Sequence, residues 1–203
     1  MAYPPGHRES VQRRIVESAR RLFHRHGFEG VSISRIMADA GLTHGGFYSY
    51  FPTKSALYVE AMSCFLTDPD WEHRWDGVEI DPAAADAAPQ VVRAYLSTAH
   101  FEDIDHACPM IALPSDVARA DAQAKQAFQT VFKAMVGLLE SGVNGAAPAR
   151  RRVTAQALAA MCVGGMVVAR ASLDRAFADN LREACLEVAL SLGGWTETSQ
   201  KSC

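Results

Sequence analysis

Cysteine is scarce in this sequence, and its five positions form no pattern: Cys64, Cys108, Cys162, Cys185 and Cys203 are odd in number and lack a C-x-x-C. That spacing argues against a disulfide framework and a structural zinc site, and reduced thiols are expected. Long apolar runs are also lacking. The longest uncharged apolar stretch, Ala157–Ala169, contains two glycines and is shorter than the roughly 20 residues a bilayer span needs. The opening Met-Ala-Tyr-Pro-Pro-Gly-His-Arg-Glu has no apolar signal core, so a cytoplasmic protein with no membrane partner is expected. Alternating runs of Val, Ile and Thr are missing, which removes the strand signature. Paired carboxylates, metal-ligand spacing and a phosphate loop are absent, and His24, His26, His73, His100 and His106 form no coherent constellation. An enzyme, a metal site and a cofactor are therefore not expected.

What is present reads as helix. Hydrophobic residues make up 49% and charged residues 21%, an ordinary globular balance, and 203 residues can hold one small and one medium domain. The net charge of −3 is unevenly spread. Residues 1–54 hold eight Arg or Lys against four Asp or Glu, a net of +4 that leaves −7 for the remainder. A basic head on an acidic body fits a phosphate-binding module joined to something else.

Val11, Ile15, Ala19, Leu22 and Phe23 form a helical stripe that predicts a first helix over Arg8–His26, ended by Gly27. Ser32 is placed to cap a second helix carrying Ile33, Ile36, Met37 and Ala40, which Gly41 stops. Thr43 opens a third short helix over His44–Phe51, ended by Pro52, and Thr53 caps a fourth reaching about Thr67. The stretch Asp68–Pro89 reads as irregular. Helices are then expected over Gln90–Glu102, Met110–Ala120, Asp121–Ser141, Arg150–Ser172 and Leu173–Leu192, lengths that suit a bundle.

Two short helices joined by a glycine-containing turn form a head whose second helix can enter the major groove. Two glycines within that second helix, Gly45 and Gly46, each cost about 1 kcal/mol of helix propensity. Their presence makes sense where backbone must approach DNA closely. Phe47 and Phe51 are expected to face the core, leaving Tyr48 and Tyr50 to reach outward to phosphates.

The residues Gly27-Phe28-Glu29-Gly30-Val31-Ser32-Ile33, Ile36-Met37-Ala38-Asp39-Ala40-Gly41-Leu42 and Thr43 through Leu57 resemble the TetR/AcrR family of repressors, spacing included. The resemblance implies an all-α fold. An N-terminal three-helix helix-turn-helix DNA-binding domain (1–53) would be followed by a larger helical bundle for ligand binding and dimerisation (54–203). It implies that Ser32 and Ser34 cap the second helix and touch phosphate with Arg35 beside them. Thr43, His44, Gly45 and Gly46 would face base edges, and Tyr48, Tyr50 and Lys54 would clamp the backbone. Lys54 at a helix N-terminus opposes the dipole, which favours a phosphate role.

Such a head reads two half-sites of a palindromic, double-stranded operator as a homodimer. The small residues of Met161–Ala169 and the stripe Leu181, Cys185, Val188, Ala189 and Leu192 are candidates for the interface. The same stripes can also serve the intrachain core. The resemblance implies a cavity for a small-molecule effector, with Phe101, Met110, Phe128, Phe132 and Met135 as lining or as plain core. Trp71, His73 and Trp75 are a lid or core cover. Cys108 precedes Pro109 and is the expected N-cap of the next helix, where the dipole favours thiolate. It reads either as a buried packing thiol or as an electrophile or oxidant sensor, since Cys108–Val117 partly resembles a subgroup with a cysteine there. Cys64, Cys162 and Cys185 read as packing. The expected function is a repressor released from DNA by its effector. The rivals are a helical cysteine enzyme and an architectural DNA-binding protein without a ligand.

Overall fold

The computed structural model describes residues 6–67, 80–81, 83–106, 108–112, 114–145 and 147–195, so Trp71, His73, Trp75 and Cys203 lie outside the described residues. Every regular element among them is helical: α1 His7–His26, α2 Ile33–Asp39, a 3-10 helix His44–Ser49, α3 Lys54–Thr67, α4 Ala87–Tyr95, α5 Thr98–Glu102, α6 Pro109–Ala112, α7 Pro114–Arg119, α8 Ala122–Gly142, α9 Pro148–Ala171 and α10 Arg175–Gly193. The chain forms two compact units. One gathers the described residues up to Thr67 with Ile104–Val131; the other gathers Ile80–Asp103 with the chain from Phe132 onward.

The first unit is built around the expected α1 stripe. Val11, Ile15, Ala19, Leu22 and Phe23 are all buried, and they pack with Ile36 and Met37 of α2, Phe47, Phe51, and Leu57 and Tyr58 of α3. Val117, Ala124 and Ala127 belong to the same core. Gly27 ends α1 at φ 72°, with its N–H donating to the Phe23 carbonyl at 2.8 Å. A side chain there would also collide with Asp116, whose Oδ2 lies 2.5 Å from where a Cβ would stand. That Oδ2 accepts the Phe28 N–H at 2.7 Å, so a glycine and a carboxylate together set the entry into the turn. Nearby, Arg25 makes a two-pronged pair with Asp105, Nη2 to Oδ2 at 2.6 Å. The hydrogen bond from Arg25 holds the Asp105 carboxyl below its usual range, helped by the Arg25 charge.

Tyr58 sits at the centre of this core, with its ring 5.3 Å from Phe23 and 5.0 Å from Phe28 in edge-on contacts. Its hydroxyl is buried without a hydrogen-bond partner. Burial pushes the phenol above its ordinary value, with the Asp116 charge adding to the shift. A raised folded-state pKa leaves stability intact below the unfolded value of about 10 and removes it as pH rises further. Thermal melts from pH 8 to 11 should therefore show a steeper alkaline loss for the wild type than for Tyr58→Phe. Superimposable pH profiles would contradict the buried phenol.

The second unit centres on the α9–α10 pair. Pro148 starts α9 at a position where its missing N–H is harmless. Asp174 caps α10 by accepting from Ala176 N–H at 2.9 Å and Phe177 N–H at 3.3 Å. Gly165 lets the two helices close: a Cβ there would lie 2.7 Å from the Cys185 sulfur. Arg182, only 4% exposed, donates to the Leu96 carbonyl at 2.7 Å, pairs with Asp179 and lies 4.8 Å from the Phe101 ring centre. Arg170 donates to the carbonyls of His100 and Asp103. Two cations of α9 and α10 thus hold the backbone of α5 and of the residues on either side of it. By length and composition alone α9 could cross a membrane. Its Ala155, Leu158, Ala159, Cys162, Met166 and Ala169 are instead buried in the bundle.

Two expected helices are each divided. The Gln90–Glu102 segment breaks at Leu96–Ser97, where Ser97 turns extended and its hydroxyl accepts the His100 N–H at 3.1 Å. The His100 ring meets the Tyr95 carbonyl at 2.7 Å, a further local bond that replaces helix continuation. The Met110–Ala120 segment divides into α6 and α7 at Pro114, which lacks the N–H that continuation needs.

Candidate nucleic-acid interface

The interface is assembled from a tight helical corner. Ser32 has the extended backbone of an N-cap and its hydroxyl accepts the Arg35 N–H at 3.2 Å, so its capping role is realised. Gly41, at φ 68°, turns the chain out of α2, and Leu42 N–H closes the end on the Met37 carbonyl at 2.8 Å. Arg14 also donates to the Ala40 carbonyl, and Asp39 receives Ser18 and Arg21, the latter at 2.6 Å. These bonds fix α2 on α1 before any DNA is considered.

The third element differs from the α-helix expected over His44–Phe51. It is a 3-10 helix ending at Ser49, and Thr43 makes no side-chain cap bond. Two glycines in six residues weaken the wider α-helical ladder, and the short segment settles into the tighter i to i+3 pattern. Phe47 carries its inner face: it is fully buried, with Phe51 6.0 Å away centre to centre. Thr43, His44, Gly45 and Tyr48 are exposed, Tyr48 at 61%. The His44 and Tyr48 rings approach edge-on at 6.3 Å. Gly45 faces open space, while a Cβ on Gly46 would make only ordinary contact with Met37 at 3.7 Å. Neither glycine has a positive φ, so the local fold does not demand glycine at either position. What they provide is a surface without side chains.

The other expected residues take distinct places. Ser34 and Arg35 are exposed on the first turn of α2, and Arg35 Nη2 lies 2.7 Å from His26 Nε2. Tyr50 is half-buried, with its ring beneath Arg8. Lys54 is half-buried, with its Nζ 4.3 Å from the Phe28 ring centre. Burial lowers its pKa, opposed by Glu29 and Asp116. Thr43, Gly46, Ser49 and Tyr50 line a cleft of ≈ 490 Å³ together with Gly6, His7 and Arg8 at the start of α1. His7 and Arg8 were not singled out from sequence, where an arginine on an amphipathic helix reads as a solvated face.

Of the expected effector residues, Cys108, Met110 and Phe128 fall in the first unit, and Phe101 and Phe132 in the second. Cys108 directly precedes α6 in the chain and is 1% exposed, as is Met110. Phe128 packs on the core of the first unit. Phe132 is half-buried, and Phe101 lies against the guanidiniums of Arg175 and Arg182 at 4.9 and 4.8 Å. Cys64 is half-buried. Cys162 is buried and its thiol pushed up to about 12 by that burial, while burial also raises Cys185.

Residues 15–61 match the family model for bacterial regulatory proteins of the tetR family. Over 53 residues the chain is 34% identical to the uncharacterized HTH-type transcriptional regulator YerO of Bacillus subtilis (strain 168). That match covers 26% of this chain and 18% of the relative. The fold is similar to that of reduced NemR from E. coli, with a TM-score of 0.69, 16% identity, and 90% and 96% of the two chains covered. It is also similar to AibR in complex with isovaleryl coenzyme A and operator DNA, with a TM-score of 0.59, 15% identity, and 88% and 97% covered. Residues 15–61 are thus a helix-turn-helix segment of the kind found in bacterial regulatory proteins of the tetR family, and the chain as a whole has a fold similar to that of NemR and AibR.

Proposed function

We propose that this regulator is a homodimeric repressor that leaves its operator when a small-molecule effector binds. The carrying observation is the 3-10 helix: Phe47 is anchored in the core while Thr43, His44, Gly45 and Tyr48 remain open to base edges and phosphates. Ser32, Ser34, Arg35, Tyr50 and Lys54 supply or position the phosphate contacts in this reading. Residues 1–53 form the reading head and 54–203 carry effector binding and dimerisation, in the cytoplasm and without catalysis. Lys54 turns away from the Phe28 ring to reach DNA.

Dimerisation is supported by the outer faces of α9 and α10. Val153, Val168, Phe177, Val188 and Leu192 are each about half exposed, and Gly164 faces open space. Exposed apolar side chains on two packed helices offer a surface that a second copy can cover.

Effector control is supported by the make-up of the first unit, in which Ile104–Val131, carrying Cys108, Met110 and Phe128, packs with the head through Val117, Ala124 and Ala127. A ligand that binds two arrangements of this segment unequally shifts the head with it. AibR, with its acyl-coenzyme A and operator, has the same architecture. Near-complete burial of Cys108 favours a non-covalent effector over direct attack by a reagent on the thiol.

Gel-shift titration against DNA flanking the chain's own gene, and against duplexes selected from a random library, tests the reading. The expected result is a salt-dependent, sequence-specific complex of two chains, insensitive to a mild electrophile. Failure of selection to enrich any sequence would refute DNA reading. Release by the electrophile that is lost in Cys108→Ser would establish the thiol mechanism instead.

A further inference from the structure

The reading helix is weakly held by its own sequence. It has six residues, two of them glycine, and no side-chain cap at Thr43. At its C-terminal end the Phe47 carbonyl accepts both Tyr50 N–H and Phe51 N–H, at 2.9 and 3.0 Å. The Ser49 carbonyl, one of the final groups a helix leaves unmatched, receives its bond from elsewhere: Arg8 Nη2 of α1 donates to it at 2.8 Å. The same guanidinium lies 5.7 Å from the centre of the Tyr50 ring. A cation at a helix C-terminus is favourable, and a charged donor makes a stronger bond than a neutral one. Arg8 itself is held by α1, a 20-residue helix fixed in the core by Val11 and Ile15.

We propose that Arg8 is a positioning residue for operator recognition: it ties the C-terminal end of the reading helix and the Tyr50 ring to α1. It presets the helix that base reading requires. The inference rests on the DNA-reading function proposed above. Sequence-specific binding needs the helix ordered in one register, whereas non-specific binding needs only positive charge near phosphates. Loss of the tie therefore falls on specificity. Loss of a direct phosphate contact would fall on both kinds of binding and on the salt slope.

The test compares the full-length wild type, Arg8→Ala and Arg8→Lys, with a duplex enriched by the wild type from a random library and with unrelated duplex of equal length. Arg8→Ala should weaken binding to the enriched duplex about tenfold, the scale of one charge-assisted bond, while leaving non-specific binding and the salt slope unchanged. Arg8→Lys, which keeps a donor and a charge, should recover most of the loss. Equal weakening on both duplexes with a salt slope reduced by about 1 would make Arg8 a phosphate contact and overturn the positioning role. Unchanged binding by Arg8→Ala would overturn it as well. If the wild type enriches no sequence, the DNA-reading function itself fails and this role falls with it. Because Arg8 is exposed, all three proteins should melt together, and a melting shift confined to Arg8→Ala would reassign it to structure.

Discussion

Replacing Phe47 with alanine is expected to destabilise the first unit by about 3–5 kcal/mol, the usual range for deleting a fully buried phenylalanine. Net stability of a domain is about 5–15 kcal/mol, so this loss takes much of it. Phe47 is the main apolar anchor of a 3-10 helix too short and too glycine-rich to persist alone. A melting temperature lower by roughly 15 °C or more is expected in circular dichroism scans, together with loss of operator binding. Tyr48→Ala supplies the contrast. With 61% of Tyr48 exposed, its stability change should stay within about 0.5 kcal/mol while operator affinity falls. A Phe47→Ala protein as stable as the wild type would show that the core does not hold the reading helix. A large melting shift in Tyr48→Ala would show that the outer face is not free.

Arg182→Ala is expected to cost about 3 kcal/mol, the low end for breaking a buried pair. Arg182 is almost wholly enclosed, and its removal leaves the Leu96 carbonyl without its 2.7 Å donor. Asp179 is better placed to tolerate the change, being about one-third exposed and still bonded to Arg175 at 2.9 Å. That remaining pair keeps the expected loss from the upper end. Arg182→Met should lose less than Arg182→Ala, because it retains the stem's volume against Phe101. Chemical denaturation measures both: a midpoint lowered at constant m-value is expected. An unchanged midpoint in Arg182→Ala would mean that the turn before α5 is held by apolar packing alone.

Much of the head was legible in the sequence because its signals are local. The α1 stripe, Ser32 as a cap, Gly27 and Gly41 as stops and Phe47 as an inward residue each follow from spacing or backbone preference within one or two turns. Where expectation and structure part, a competing local bond or a missing donor decides. Ser97 and His100 draw the chain out of a helix that periodicity alone continues, and Pro114 removes the bond that would have joined α6 to α7. The 3-10 form of the reading segment reflects a balance between two closely related ladders, which glycine content tips.

By itself the sequence determined that the chain is helical, that its N-terminal helices form a helix-turn-helix head, and which residues that head turns toward its core. Those properties rest on periodicity and on the dihedral limits of glycine, proline and serine, which act over a few residues. Only the tertiary structure decided which distant groups meet. It brings Asp116 to the Phe28 amide across 88 residues, Asp105 to Arg25 across 80, Arg182 to the Leu96 carbonyl across 86, and Arg8 to Ser49 across 41. An arginine or aspartate on the polar face of a helix carries no mark of its partner. The partner is chosen when apolar faces pack and bring one charge, among many, within bonding distance of a backbone group or of an opposite charge.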